Sequence, residues 1–182
     1  MPRQNGYAGL KAHVMLTPAI AAFLFLAAPQ VDRDIVYASP AGSKQLLDIY
    51  RPAKPQGLLP TVVWIHGGAF RAGSKNQAGS ATWLTEHGYA VVSINYRLSQ
   101  EAVFPAQLQD CQAAVAWLRA HAAEYGLDPV RIGAWGPSAG GHLVSMVGLA
   151  AGPNDSSRVR AVVDFFGPTD FLQMDAHALP SG

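Results

Sequence analysis

The sequence predicts an α/β domain in which a mostly parallel sheet carries helices on both faces. From residue 31 onwards, short runs rich in β-branched and aromatic residues alternate with segments of helical periodicity. This alternation is typical of parallel strands connected by helices. Of the 182 residues, 49% are hydrophobic and 14% are charged, which supplies a sizeable core and excludes a disordered chain.

The strands and helices are predicted in order along the chain. Two short alternating runs, at 34–37 and 46–50, flank a turn-rich segment and predict a β-hairpin. Buried strands are predicted from continuous apolar runs at 61–65 and 89–96, and further strands at 131–135 and 160–166. Helices are predicted around Trp83, ending at His87 and Gly88, and at 105–125 and 138–150. We expect the sheet to end after the run at 160–166, leaving that apolar strand uncovered.

The long helix at 105–125 follows from the spacing of its apolar residues. These recur at three- and four-residue steps and form one face: Leu108, Cys111, Val115, Leu118 and Ala122. The segment contains no glycine and no internal proline, and Gly126 suits its end. Cys111 belongs to this face, so we interpret it as a packing residue and not as a nucleophile.

Charge and residue spacing exclude several classes of function. The formal net charge is +1 and no block of like charges occurs, so no nucleic-acid partner is expected. The six histidines show no metal-ligand spacing, and no Gly-rich nucleotide fingerprint occurs. A single cysteine builds neither an internal disulfide nor a Cys-rich metal site. We therefore predict no metal and no cofactor.

The N-terminal residues 1–30 resemble a secretory signal peptide. Arg3, Lys11 and His13 precede an apolar run at 14–28, which ends in small residues. The run is shorter than the about 20 residues of a membrane-spanning helix and contains Thr17 and Pro18, so no stable span is expected. We predict export to a secreted or periplasmic location. An uncleaved anchor, or an apolar N-terminal helix of a cytoplasmic protein, remains the alternative.

Ser138 is the candidate nucleophile. It lies at the centre of Gly-Pro-Ser-Ala-Gly, residues 136–140, between a predicted buried strand and a predicted helix. A sharp turn between strand and helix lifts such a serine hydroxyl above the sheet edge, and small neighbours let the two elements approach. The alternative is a Gly-rich turn in which Ser138 only caps the helix.

Candidate oxyanion donors follow another strand. His66, Gly67 and Gly68 come directly after the strand at 61–65, and consecutive glycines let the backbone point N–H groups at a ligand. Because the carboxyl ends of parallel strands share one crevice, we expect the amides of Gly67, Gly68 and Ala139 to surround one oxyanion. We expect His66 to anchor this loop by hydrogen bonding and not to act as a base.

These motifs identify a resemblance to α/β-hydrolase esterases of the feruloyl-esterase-like and hormone-sensitive-lipase-like branch. It covers residue 33 onwards and rests on five segments: HGGAF at 66–70, YR at 96–97, YGLDPVRI at 125–132, GPSAGGHL at 136–143 and FGPTD at 166–170. The resemblance implies hydrolysis of a small-molecule carboxylic ester through an acyl-enzyme on Ser138. It also implies oxyanion amides at Gly67, Gly68 and Ala139. Ala69 stands where many relatives carry glycine, but its N–H is retained.

The acid and base of a catalytic triad are not apparent in the sequence. In this fold they follow the nucleophile in the order acid, then histidine. Asp170 and His177 have that order, but Asp170 matches the FGPTD segment, and His142 lies on the helix of the nucleophile. We therefore expect residues 31–182 to form a partial α/β-hydrolase domain without its last strands. A non-catalytic binding domain and a peptidase of the same fold remain alternatives.

Overall fold

The computed structural model describes residues 28–174, in which a mixed sheet packs against helices. Its six strands are β1 (Gln30–Ala38), β2 (Gln45–Arg51), β3 (Leu59–Ile65), β4 (Ala90–Ile94), β5 (Leu127–Pro137) and β6 (Val162–Phe165). The two α-helices are α1 (Ala106–Ala120) and α2 (Ala139–Ala150). Short 3₁₀ helices cover Pro40–Gly42, Lys75–Ser80 and Thr82–His87.

The sheet has the strand order β1-β2-β4-β3-β5-β6. The hairpin strands β1 and β2 pair antiparallel, and β2 pairs antiparallel with β4. From β4 through β3 and β5 to β6 all pairs are parallel. The predicted hairpin and the mostly parallel sheet are therefore confirmed, and the carboxyl ends of β3, β4 and β5 lie side by side.

Alternate side chains of the central strands build two different cores. Val63, Ile65 and Val92 belong to the larger core, which includes the apolar faces of α1 and α2. Trp64 and Val91 point to the opposite face, where residues of the 3₁₀ helices pack against them. Helical segments thus cover both faces, as predicted, but the segment around Trp83 is 3₁₀ and not α-helical.

Helix α1 ends at Ala120, five residues before the predicted end at 125. The backbone N–H and ring Nδ1 of His121 both lie within hydrogen-bonding distance of the Trp117 carbonyl oxygen, and the chain then turns. Ala122 is buried in the core from this turn. Gly126, at φ +67°, redirects the backbone into β5, which begins at Leu127 and is longer than predicted.

Strand β6 is one of the two edge strands of the described sheet, and β1 is the other. The apolar side chains of β6 are substantially exposed: Val162 at 37%, Val163 at 44% and Phe165 at 45%. The expectation that this apolar strand is left uncovered holds for residues 28–174. Within the same residues, no helix has both the length and the hydropathy to cross a membrane. The predicted signal peptide falls almost entirely outside the described residues.

Candidate active site

Ser138 occupies a sharp corner between β5 and α2. Its backbone has φ 53° and ψ −122°, a conformation that is strained for a residue with a side chain. The neighbouring glycines allow the corner to press against β3. A Cβ added at Gly140 would lie 2.0 Å from the Ile65 carbonyl oxygen, and one at Gly136 would lie 2.5 Å from the same atom. Only glycine fits at these two positions without moving the backbone.

Hydrogen bonds on both sides hold this corner. The N–H of Ser138 donates to the Phe165 carbonyl oxygen at 2.8 Å, and the N–H of His142 donates to the Ser138 carbonyl oxygen at 3.0 Å. Asp164 links helix α2 to the chain after β6, because its carboxylate accepts from Ser145 Oγ at 2.9 Å and from the Gly167 N–H at 2.8 Å. Strand β6 therefore supports the serine directly.

The loop at 66–70 lies against the serine corner. A Cβ added at Gly67 would be 3.5 Å from Ser138 Cβ and 2.9 Å from the Pro137 carbonyl oxygen. Gly68 has φ +111° and its carbonyl oxygen accepts the N–H groups of Arg71 and Ala72 at 2.9 and 3.1 Å. The structure thus brings the glycines that follow β3 next to the Gly-Pro-Ser-Ala-Gly corner at 136–140.

The backbone donors expected from the sequence have no hydrogen-bond acceptor within the described part of the chain. Within residues 28–174, the N–H groups of Gly67 and Gly68 donate to no protein acceptor. Ala139 is the first residue of α2, where an N–H has no partner within the helix. The hydroxyl of Ser138 also has no hydrogen-bond partner among those residues. The arrangement presents a serine hydroxyl and unpaired N–H groups at the positive end of a helix dipole.

His66 anchors the beginning of this loop. It is 1% exposed, its Nδ1 lies 2.7 Å from the Gly67 carbonyl oxygen, and its ring stacks on Tyr96 with centroids 4.3 Å apart. The Tyr96 hydroxyl donates to the His66 carbonyl oxygen at 3.0 Å. Burial lowers the pKa of His66, although its contact with the Gly67 carbonyl acts in the opposite direction. These contacts agree with the anchoring role expected for His66.

The segment after β4 braces the same loop from the other side. The N–H of Ser99 donates to the Phe70 carbonyl oxygen at 2.7 Å. Arg97 makes a bidentate pair with Asp110 of α1, through Nε and Nη2, each at 2.8 Å. The hydrogen bond to Asp110 raises the pKa of the Arg97 guanidinium, and burial opposes this effect. The pair fixes the chain between β4 and α1 in place.

The described carboxylates that follow Ser138 in sequence have local partners. Asp155 accepts from Ser157 at 2.7 Å, and Asp170 accepts from the Leu172 N–H at 3.0 Å. Asp164 forms the link described above. His142 places Nδ1 2.9 Å from the Pro168 carbonyl oxygen. Asp175 and His177 lie outside the described residues. A triad of Ser138 with Asp170 and His177 therefore stays a prediction.

Several supporting residues were not found from the sequence. Tyr96 is the last residue of the strand predicted at 89–96 and part of a family motif, but no local pattern indicates that its hydroxyl donates to the His66 carbonyl oxygen. Asp164 is one of the acidic residues after Ser138 and Phe165 belongs to an apolar run, but their support of the serine corner depends on sheet order, which no local pattern contains. Among residues 28–174, no group of three or more His, Cys, Asp or Glu side chains could hold a metal ion.

The sheet order and the serine at the strand-to-helix corner define the α/β-hydrolase fold. The BD-FAE family model matches residues 47–181. The chain belongs to this family, as its resemblance to esterases predicted.

Named relatives and solved structures agree with this membership. The chain is 38% identical to the probable carboxylic ester hydrolase LipM of Mycobacterium tuberculosis, over 79% of this chain and 36% of LipM. It is 33% identical to the esterase LipQ of the same organism, over 78% of this chain and 36% of LipQ. The chain thus spans about a third of the length of these curated relatives.

The solved structures with similar folds include two esterases. A truncated form of a carbohydrate esterase from gut microbiota superposes with a TM-score of 0.71 and 33% identity, covering 86% of this chain and 63% of that one. Esterase 2 of Thermogutta terrifontis superposes with a TM-score of 0.66 and 28% identity, covering 79% of this chain and 54% of that one.

Proposed function

We propose that this chain carries the nucleophile and the oxyanion hole of a serine carboxylic ester hydrolase. The observation that carries the proposal is the close approach of the two loops: a Cβ added at Gly67 would lie 3.5 Å from Ser138 Cβ. The strained backbone of Ser138 and the free N–H groups around it support the same roles. The names of LipM and LipQ supply the reaction class.

In the proposed reaction, Ser138 Oγ attacks the ester carbonyl carbon and loses its proton to a general base. The N–H groups of Gly67, Gly68 and Ala139 hold the oxyanion of the tetrahedral intermediate. The alcohol leaves with the proton from the base, and an acyl group remains on Ser138. Water, activated by the same base, then releases the carboxylic acid and regenerates the hydroxyl.

We propose that the base and its orienting carboxylate are not among the 182 residues, with the Asp170–His177 pair as the alternative. The described Asp residues after Ser138 have local partners, and His142 contacts the Pro168 carbonyl oxygen. The curated relatives are much longer than this chain, which leaves room in them for further elements. The alternative function is a non-catalytic binding domain, and it is favoured by the lack, within residues 28–174, of a hydrogen-bond partner for the Ser138 hydroxyl.

Ester hydrolysis by two proteins distinguishes the catalytic domain from the non-catalytic binding domain. The first is the 182-residue chain, for which we expect p-nitrophenyl butyrate hydrolysis at the rate of its Ser138→Ala variant. The second is a fusion protein that joins residues 1–174 to the part of LipM following its matched region. A folded fusion protein should hydrolyse the ester, and Ser156→Ala, on an exposed serine, should not change its rate. A folded fusion protein without activity would favour the binding domain, and Ser138-dependent turnover by the 182-residue chain would refute a base from outside.

We also propose that residues 1–30 direct export, because basic residues precede a short apolar run. The test is a fusion of residues 1–30 to alkaline phosphatase, which is active only after export to an oxidising compartment. We expect activity with the natural run and none when Leu24 and Leu26 are both replaced by Arg. Equal activity of the two fusions would contradict the proposal.

A further inference from the structure

A small basic cavity lies at the amino ends of β5 and β6, at the other end of the sheet from the serine corner. Its volume is about 240 Å³, and its charged lining residues are Arg119, Arg158, Arg160 and Asp155. We call it the arginine cavity. It opens between the end of α1, the start of β5 and the segment that connects α2 to β6. The length of β5 places it about 20 Å from Ser138.

Arg119 is held in a fixed position in the wall of the arginine cavity. It lies in the last turn of α1 and donates from Nε to the Pro129 carbonyl oxygen at 3.0 Å. Its Nη1 and Nη2 donate to the carbonyl oxygens of Ser156 and Arg158. Burial lowers the pKa of Arg119; Asp155 opposes this effect and the charge of Arg160 adds to it. The carbonyl groups orient the guanidinium but leave its full positive charge in place.

No carboxylate in direct contact neutralises the three guanidinium groups of the arginine cavity. Within residues 28–174, none of the three arginines forms a salt bridge. Arg160 donates from Nε to the Val130 carbonyl oxygen at 3.3 Å, and its Nη1 and Nη2 have no acceptor among those residues. Outside them, the sequence holds a single acidic side chain, Asp175. The cavity therefore presents N–H donors that an anion can use.

Asp155 is the one acidic residue in the wall. Its Oδ1 accepts from the Ser157 N–H and from Ser157 Oγ, each at 2.7 Å. The hydrogen bond from the Ser157 hydroxyl, together with that from its N–H, lowers the pKa of Asp155, so the carboxylate is ionised at neutral pH. Three positive groups and one negative group give the wall a net charge of +2, whereas the whole chain carries +1.

We propose that the arginine cavity binds a dianionic phosphate group, either inorganic phosphate or the phosphate of a small monoester. Guanidinium groups offer paired N–H donors that match phosphate oxygens, and a phosphate monoester carries a charge of about −2 at neutral pH. Pro129, Val130 and Pro153 supply an apolar part of the same wall, against which the organic part of a monoester could pack. This site does not depend on the proposed function of Ser138.

The test is an NMR titration of the ¹⁵N-labelled 182-residue chain at neutral pH and constant ionic strength. We expect methyl phosphate to shift the amide signals of Val130 and Ser156. The amides of Gly67 and Ala139 report separately on anion binding at the serine corner. Dimethyl phosphate carries one charge instead of two, and we expect it to bind in the arginine cavity at least about fivefold more weakly.

Three variants test the charged groups, and each is first shown to be folded by its NMR spectrum. Arg158→Gln and Arg160→Gln should each raise the Kd of methyl phosphate at least about fivefold. Arg71→Gln, on an exposed arginine outside the cavity, makes the same change in net charge and should leave the Kd within about twofold. Asp155→Asn retains the oxygen that Ser157 binds and removes the negative charge, so it should lower the Kd about threefold.

The source of the phosphate group is distinguished by comparing phenyl phosphate with inorganic phosphate. Tighter binding of phenyl phosphate assigns the cavity to a monoester, and equal or tighter binding of inorganic phosphate assigns it to the free ion. The proposal is overturned if methyl phosphate shifts neither Val130 nor Ser156, or if dimethyl phosphate binds there as tightly. It is also overturned if folded Arg158→Gln and Arg160→Gln bind methyl phosphate as tightly as Arg71→Gln does.

Discussion

The backbone N–H of Ser138 donates a 2.8 Å hydrogen bond to the carbonyl oxygen of Phe165. The serine with positive φ at the end of β5 is therefore held by the neighbouring strand β6, and not only by its own turn. Asp164, next to Phe165, adds hydrogen bonds to Ser145 and Gly167. The shape of the serine corner thus depends on pairing between residues that are far apart in sequence.

The close approach of α2 to β3 predicts a large effect of Gly140→Ala. Its added Cβ would lie 2.0 Å from the Ile65 carbonyl oxygen and 2.8 Å from that of His66, so the backbone has to shift to accept it. We expect the free energy of unfolding to fall by at least about 2 kcal/mol, measured by equilibrium denaturation in urea. The control Gly152→Ala meets no atom within 4 Å and should stay within about 0.5 kcal/mol. If Gly140→Ala were as stable as Gly152→Ala, the close approach of α2 to β3 would be contradicted.

Lys75 is predicted to stabilise the chain through a buried carboxylate. The Asp48 side chain is 0% exposed and accepts from Lys75 Nζ at 2.7 Å, and Lys75 also pairs with Asp34 at 2.8 Å. Burial alone would lower the pKa of Lys75, but hydrogen bonds to Asp34 and Asp48 outweigh burial and raise it. Lys75→Met leaves Asp48 without its main counterion, so we expect a loss of about 3 kcal/mol in unfolding free energy.

The matched control for Lys75 is the exposed Lys54. Lys54→Met removes the same charge from the surface and should change the unfolding free energy by less than about 0.5 kcal/mol. Urea denaturation at neutral pH and moderate salt measures both variants. Equal effects would mean that the stabilisation comes from net charge and not from the Lys75–Asp48 pair.

The buried His66 predicts a loss of stability in mild acid. Burial keeps its pKa in the folded chain below the ordinary value of about 6.5. As the pH falls below that value, the unfolded chain takes up a proton that the folded chain does not, so stability falls until the folded pKa is reached. His66→Asn should flatten the dependence of unfolding free energy on pH between 8 and 5. The same substitution at the exposed His87 is the control for replacing a histidine, and a slope that survives His66→Asn would contradict this assignment.

The structural features that depend only on residues close together in sequence were predictable from the sequence. The Gly-rich corner around Ser138 and the glycines after β3 are local signals, because the backbone conformations they need are specified within a few residues. The apolar spacing of α1 was also informative, although its end was missed. The turn at His121 depends on how Ala122 reaches the core, which no local pattern contains.

Features that depend on the order of strands could not be predicted. The support of Ser138 by Phe165 requires β6 to lie beside β5, and the anchoring of His66 by Tyr96 requires β4 to lie beside β3. An apolar cavity of about 590 Å³ next to α2 also combines residues from four separate segments, including Phe70 and Phe171. No single segment predicts this cavity, because it forms only when the four segments pack together.

The role of Ser138 is tested most directly by covalent trapping in the fusion protein with LipM. Diethyl p-nitrophenyl phosphate should release p-nitrophenol and leave one diethylphosphoryl group per chain, which peptide mass spectrometry locates. We predict modification of Ser138 alone, and a loss of p-nitrophenyl butyrate kcat/KM of at least about 10³-fold in Ser138→Ala. Modification of another residue, or hydrolysis that persists in Ser138→Ala, would contradict the assignment of Ser138 as the nucleophile.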